Sequence, residues 1–237
     1  MTRIFRCPKC TARFDPPRAE DSECPQCGIW FHKWNTDPVV VDEAVPVEAM
    51  AVASPDRLTW FGRAATLLFV ALWGWRLAVM DYRDAEINGS FMHNIVLPIH
   101  EAGHVFFMPF GEFMTILGGS LFQVALPLGI GVAFLLRQRD PFGAAICLWW
   151  AGASLVDLAP YIWDSLNPQM IMLGGHTGED GPHDWIYLLG RLGALKNAHF
   201  WGVFVHHLGV LLMLAAVAWG GRWLWRARNM SDNHDSK

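Results

Sequence analysis

One segment of the chain has the spacing of a catalytic metal site, His100-Glu101-Ala102-Gly103-His104. On a helix, residues four apart lie one turn above each other, so His100 and His104 can offer imidazole nitrogens to one zinc ion. Glu101 is the residue type that takes a proton from water whose pKa a metal has lowered. The motif therefore predicts a hydrolytic zinc site with Glu101 as catalytic base. The competing interpretation is structural, with histidines that hydrogen-bond across helices and a Glu101 that is protonated or paired with Arg76.

The first 34 residues contain two Cys-x-x-Cys pairs, formed by Cys7, Cys10, Cys24 and Cys27. Four thiolates from two tight turns suit a structural zinc ion, and so short a segment needs the metal to fold. The sequence predicts a zinc ribbon, with a redox dithiol or disulfides as alternatives. Its expected apolar cluster consists of Phe5, Phe14, Trp30 and Phe31.

The ribbon segment carries six Lys or Arg residues against four Asp or Glu residues. This basic excess is too small to favour nucleic acid, so no nucleic-acid partner is expected. A structural or docking role is the better interpretation, with a cytoplasmic protein as the partner. The expected cofactors of the whole chain are two Zn²⁺ ions, one catalytic and one structural.

The composition indicates which elements must position the motif. Of 237 residues, 53% are hydrophobic and 17% charged, and residues 113 to 136 contain no charge. Apolar runs of this length predict helices that cross a lipid bilayer. The predicted fold is an all-α polytopic membrane protein of about five membrane helices plus the N-terminal zinc ribbon. The helices are expected at residues 64–80, 91–110, 113–136, 141–163 and 200–226.

The predicted domain organisation follows from composition and charge. A zinc ribbon at 1–34 precedes a flexible acidic linker at 35–57, a membrane domain at 58–228 with the motif, and a disordered tail at 229–237. Basic residues flanking the first and last helices predict a cytoplasmic N-terminal ribbon. Arg137 and Arg139 conflict with this orientation unless the helix around 91–110 is re-entrant, and the sequence leaves both alternatives open.

A later apolar segment carries the second half of a family resemblance, Asp157-Leu158-Ala159-Pro160-Tyr161-Ile162-Trp163-Asp164-Ser165. With the motif above, residues 91–165 resemble the site-2-protease-type intramembrane zinc metalloproteases. That group draws its third zinc ligand from an Asn-x-x-Pro-x-x-x-x-Asp-Gly pattern. Here Asp164 comes one residue early, Asp157 replaces the asparagine, and Ser165 replaces the glycine. The resemblance implies a zinc metallopeptidase of a bacterial cytoplasmic membrane, with Asp164 as third ligand and a membrane protein or peptide as substrate.

Other residues compete for the third position. Asp157 lies seven residues before Asp164 on the same helix face, and either carboxylate could bind zinc while the other orients a histidine. His183 and Asp184, in the glycine-rich 174–185 segment, could supply a ligand, an orienting pair or a gate. Residues 118–123, which include Gly118 and Gly119, are expected to form a hinge or a close contact.

Two other functions remain open from the sequence. A zinc-binding membrane scaffold without activity would share the ligands and would not need Glu101. Another membrane zinc hydrolase, such as an amidase or lipid hydrolase, would need both the ligands and Glu101. The fold cannot choose among these functions, because the chemistry resides in the site.

Overall fold

A computed structural model describes the backbone of residues 3–33, 56–84 and 86–235. The chain divides into two compact units, Met1–Ala53 and Ser54–Lys237. Of the predicted acidic linker, residues 35–55 lie outside the described residues. The last helix extends through Asp235, which includes most of the segment predicted as a disordered tail.

The first unit contains a two-stranded antiparallel sheet and two similar turns. Strand β1 (Arg3–Arg6) pairs with β2 (Arg13–Ala19). Each Cys-x-x-Cys pair lies in a turn closed by two backbone hydrogen bonds of 2.8 to 3.0 Å. The residue after the second cysteine is left-handed in both turns, with φ 59° at Thr11 and 72° at Gly28. The two pairs therefore present their thiols from equivalent backbone geometry.

The apolar cluster of this unit differs in part from the predicted one. Phe31 is buried and packs edge-on against Phe14, as expected. Phe5 and Trp30 are instead 46% and 44% exposed. The cluster is completed by side chains adjacent to them in sequence, Ile4 and Ile29. Because successive side chains of a strand point to opposite faces, Ile4 and Phe5 cannot both face the cluster.

The second unit is helical. Its helices are α1 (Arg57–Val79), α2 (Phe91–Phe107), α3 (Glu112–Ala133), α4 (Pro141–Asp164), α5 (Asp184–Arg191) and α6 (Ala198–Asp235). Side-chain oxygens cap the first turns of three of them, from Asp56 for α1, Ser90 for α2 and Asp140 for α4. Such caps satisfy backbone N–H groups that have no partner within the helix.

Three stretches in the described part of the chain are long and apolar enough to cross a membrane, Glu112–Gln138, Pro141–Asp164 and Leu195–Asn229. They correspond to the last three of the five predicted spans. Helix α2 has only 17 residues, about 26 Å at 1.5 Å per residue, which is shorter than a bilayer core of about 30 Å. Helix α1 is longer and carries three arginines.

Helix α4 is the centre of the second unit. In its most apolar stretch of 18 residues, 72% of the residues are buried, whereas the share is 28% in each of the other two candidate spans. Glycines allow the closest helix contacts. A Cβ atom at Gly152 of α4 would lie 2.7 Å from the carbonyl oxygen of Gly209 on α6. Gly103 of α2 and Gly118 of α3 make a similar contact, which confirms the close approach expected at residues 118–123.

Candidate metal centre

The two histidines of the motif lie one turn apart on α2, with ring centroids separated by 4.8 Å. His100 Nδ1 donates to Gln123 Oε1 at 2.7 Å. The Gln123 amide is oriented in turn, because its Nε2 donates to the Ser154 carbonyl at 3.0 Å. His104 Nδ1 donates to the Thr115 carbonyl at 2.9 Å. With Nδ1 donating in both rings, Nε2 is the nitrogen that each ring can offer to a metal ion once it has lost its proton.

A carboxylate oxygen meets both of these nitrogens. Asp184 Oδ2 lies 3.0 Å from His100 Nε2 and 3.3 Å from His104 Nε2. Ligand atoms at about 2.0 Å from one tetrahedral ion are separated by about 3.3 Å. Burial acts to raise the pKa of the Asp184 carboxyl, but its hydrogen bonds with His100 and His104 outweigh burial and lower that pKa to about 2. The Asp184 carboxyl is therefore ionised, which is the form that binds a metal.

The backbone of α3 leaves room between the two nitrogens. Gly119 faces them, and a Cβ atom there would lie 2.5 Å from His100 Nε2 and 2.6 Å from His104 Nε2. Real Cβ atoms essentially never come within 3.0 Å of another heavy atom. A glycine at this position keeps open the space beside both Nε2 atoms. The residues present therefore fit a metal ion.

Glu101 lies next to these ligands. Its carboxylate and the ligand nitrogens of His100 and His104 are all within 4.8 Å of one another. The side chain is exposed to a cavity of about 480 Å³, which is also lined by both histidines and Asp184. Among the described lining residues there are three carboxylates and no Lys or Arg. A cation would balance this charge.

Asp164, which the resemblance implies as the third ligand, has other partners in the structure. Its Oδ2 lies 3.4 Å from Nε2 of His183, the alternative ligand. Its Oδ1 accepts hydrogen bonds from the backbone N–H groups of Gln169 at 2.8 Å and Met170 at 2.9 Å. The structure brings Asp184, and not Asp164 or His183, against His100 and His104.

Asp157, the other carboxylate weighed for the third position, forms a separate pair. Its Oδ1 lies 3.0 Å from His93 Nδ1, and both side chains line the cavity. Asp157 is buried, and its carboxylate pairs with that histidine. The pair adds a second polar group to the cavity wall and leaves the third position to Asp184.

The four N-terminal cysteines form a second candidate metal site. Their Sγ atoms lie within 4.8 Å of one another, with 3.6 Å between Cys7 and Cys27 and 3.7 Å between Cys10 and Cys24. All four thiols are free. Sulfur ligands at about 2.3 Å from a tetrahedral ion are separated by about 3.8 Å, whereas a disulfide would bring them to about 2.05 Å. The arrangement is that of four ligands around one ion.

The thiol pKa values are consistent with this role. Burial acts to raise the pKa of Cys7, but hydrogen bonds from the backbone N–H groups of Cys10 and Lys9 contribute to lowering that pKa to about 7. Burial raises the pKa of Cys27 to about 12, with contributions from Cys10 and Cys7. Without a cation the cluster therefore retains protons, which metal binding would release.

Several partners of the site were predicted only in part. Gly119 and Gln123 belong to the 118–123 segment expected to form a hinge or a close contact, but no local pattern links them, or Thr115, to the histidines. Asp184, named with His183 as a possible ligand, is 80 residues beyond His104, at the start of the short α5 helix. Its acidic side chain in a first turn is a common helix signal that does not indicate a ligand.

No protein-family model matches this chain, and no curated protein or solved structure matches it either.

Proposed function

We propose that this chain is a zinc-dependent intramembrane protease that hydrolyses membrane-embedded or membrane-proximal peptide bonds. The observation that carries the proposal is the convergence of His100 Nε2, His104 Nε2 and Asp184 Oδ2, with Glu101 beside them. Three protein ligands leave one position of a tetrahedral ion open, which is typical of catalytic sites. The four-cysteine cluster has no open position and suits a structural ion.

The donor atoms favour zinc. Two imidazoles with one carboxylate, and four thiolates, are ligand sets that zinc commonly takes in proteins. A chain with both sets would hold one catalytic and one structural ion. When bound in the membrane domain, zinc would supply Lewis acidity that polarises a carbonyl and lowers the pKa of water.

The roles of the surrounding residues follow from their contacts. Glu101 is placed to accept a proton from the attacking water and to pass it to the leaving amine. Gln123 and the Thr115 carbonyl hold the histidine rings in the tautomer that presents Nε2. Asp184 would supply the negative charge among the three ligands, beside the imidazoles of His100 and His104.

The surface of the second unit supports insertion in a membrane beyond the three long apolar helices. Three apolar side chains of α1, Leu68, Phe69 and Leu72, are between 59% and 63% exposed. Phe106 of α2 is 61% exposed. Large exposed apolar surfaces of this kind mark contact with lipid or a partner. We propose that α1 and α2 lie in the bilayer as well. The family resemblance favours a bacterial cytoplasmic membrane, and the basic residues that flank the first and last helices favour a ribbon in the cytoplasm.

The cavity favours a peptide substrate with apolar side chains. Around the polar centre its wall contains Leu97, Leu158, Ile171 and Leu173. A membrane helix hides its amides in its own hydrogen bonds, so the substrate must be locally unwound before attack. A peptide from the end of a membrane segment meets both conditions, because it carries apolar side chains and its backbone can be unwound there. The ribbon would then recruit that protein, or a regulator, from the cytoplasmic side.

The substitution Glu101→Gln tests the catalytic role. It keeps the size of the side chain and removes the base, so we expect cleavage of membrane peptides to fall by about 10² to 10⁴-fold. The metal content should stay unchanged, because Glu101 is not a ligand in this account. The assay is peptide cleavage by purified protein in detergent or vesicles, with metal content measured on the same sample.

A matched control is Glu112→Gln, which makes the same change at an exposed residue at the start of α3. It should cleave as the unchanged chain does. Peptide cleavage that survives Glu101→Gln would rule out the proposed base. If the unchanged chain releases products from lipids and none from peptides, the site belongs to another zinc hydrolase. If it is active on neither, a zinc-binding scaffold is favoured.

A further inference from the structure

Asp184 depends on tertiary contacts for its position. It is the first residue of α5, a helix of eight residues that follows a long connection from α4. Its backbone N–H donates to the Tyr161 hydroxyl at 2.9 Å. Tyr161 lies on α4, the most buried helix of the unit. A hydrogen bond from the central helix therefore fixes the backbone of the residue that meets both histidines.

His183 fixes the start of α5 from the other side. Its Nδ1 accepts from the Ile186 N–H at 3.4 Å, so the side chain caps the helix. Its ring packs on the Tyr161 ring, with centroids 4.4 Å apart and planes tilted by 30°. Because Nδ1 is an acceptor, the proton of the neutral ring is on Nε2. That nitrogen points to Asp164 Oδ2 at 3.4 Å.

Asp164 connects both ends of the segment between α4 and α5. At the beginning of this connection, its Oδ1 accepts from the N–H groups of Gln169 and Met170. At the end, its Oδ2 faces His183. Both Asp164 Oδ2 and His183 Nε2 are buried and make no hydrogen bond among the described residues, which leaves each facing the other across 3.4 Å. Asp164 therefore joins the beginning of the connection, through Oδ1, to its end, through Oδ2.

From these contacts we infer that Tyr161, His183 and Asp164 are positioning residues for Asp184. The inference rests on the proposed metal site, of which Asp184 is the third ligand. The three residues act by holding the backbone and first turn of α5, so that Oδ2 of Asp184 stays within reach of both histidines. Asp164 thus serves the site through His183, although the resemblance implies a direct ligand at that position.

Positioning of this kind should be visible in metal affinity. Partners that orient a ligand typically contribute 10- to 100-fold to metal affinity. We expect Tyr161→Phe to weaken Zn²⁺ binding at the membrane-domain site by about tenfold, because the Asp184 N–H loses its acceptor. Tyr187→Phe is the matched control, since it removes a hydroxyl from the same short helix and keeps the hydrogen bond from the residue 187 N–H to the His183 carbonyl. It should leave the affinity unchanged.

The measurement is competition between the full-length protein and a chromophoric zinc chelator, with the absorption spectrum of bound Co²⁺ as a second readout. Tyr161→Phe should shift the Co²⁺ spectrum, whereas Tyr187→Phe should not. Asp164→Asn serves as a second variant if Tyr161→Phe folds poorly. It removes the charge that faces His183 and should weaken binding by about tenfold, the lower end of the range for orienting partners.

A double-mutant cycle separates positioning from general loss of structure. In an Asp184→Asn background, Tyr161→Phe should cause no further loss of affinity, because the residue it positions no longer binds as an anion. A second tenfold loss in that background would overturn the inference, as would equal affinities of Tyr161→Phe and the unchanged chain. If the unchanged chain binds no metal in its membrane domain, the proposed function fails, and the inference that rests on it fails with it.

Discussion

Replacement of Asp184 by Asn should weaken metal binding in the membrane domain by more than about 100-fold, since even residues that only orient a ligand contribute 10- to 100-fold. The variant keeps the size of the side chain and loses the anionic oxygen that lies 3.0 and 3.3 Å from the two histidine nitrogens. The measurement is zinc affinity by chelator competition, with the ribbon site as an internal reference that should not change.

The other two carboxylates of the sequence prediction provide the controls. Asp157→Asn should leave zinc affinity close to that of the unchanged chain, because Asp157 pairs with His93. The zinc affinity of Asp164→Asn should lie between those of Asp157→Asn and Asp184→Asn, because Asp164 acts on Asp184 through His183. If Asp164→Asn abolishes binding while Asp184→Asn retains it, the ligand implied by the family resemblance is right and the arrangement described above is wrong.

The substitution Gly119→Ala should have a comparable effect without changing any ligand. The added Cβ would lie 2.5 and 2.6 Å from the two Nε2 atoms, in the space that the metal needs. Either the rings turn away or the ion is excluded, so metal binding in the membrane domain should be lost. Peptide cleavage should be lost with it. Metal content and cleavage are measured on the same purified variant.

Gly129→Ala is the matched control, because Gly129 lies on the same helix and a Cβ there would meet no atom within 4 Å. It should retain both metal and activity, and should be slightly more stable as Ala is the better helix former. Normal metal content in Gly119→Ala would show that the two Nε2 atoms do not share one ion. The histidines would then be interhelical hydrogen bonders, the structural alternative that the sequence left open.

Local spacing explains what could be predicted of the site. The period of an α-helix alone places His100 and His104 on one face with Glu101 beside them. The two Cys-x-x-Cys pairs similarly predict a cluster, because each pair is a short turn. In both cases the atoms that meet are close in sequence, and the structure brings them together as groups that could hold a metal ion.

The position of the third ligand depends on tertiary structure and could not be predicted from local spacing. Asp184 reaches the histidines because the connection after α4 is tied back at Asp164 and capped at His183. Nothing in the local sequence distinguishes this aspartate from Asp157 or Asp164. Gln123 and Gly119 raise the same difficulty, since their roles come from the packing of α3 against α2.

The helices were easier to predict than their relation to the membrane. Apolar runs predicted both ends of α3 and α4 and the start of α6 within a few residues, whereas α6 extends nine residues beyond its predicted end. These are the three helices of the described part of the chain with the length and hydropathy of a span. Helix α2 begins at Phe91 as predicted and ends at Phe107, and a 3-10 turn (Met108–Phe110) then reaches the predicted end. In the first unit, strand alternation decides between neighbours such as Ile4 and Phe5, and aromatic character alone gave the wrong choice.

The most direct test of the account is the metal content of the full-length protein with and without His100→Ala. The two clusters should hold two zinc ions per chain, and the variant should hold one, kept by the four cysteines. That result would establish a metal site at the histidines independently of any substrate. A content of one ion per chain that does not change in His100→Ala would contradict the account and remove the basis for the proposed protease.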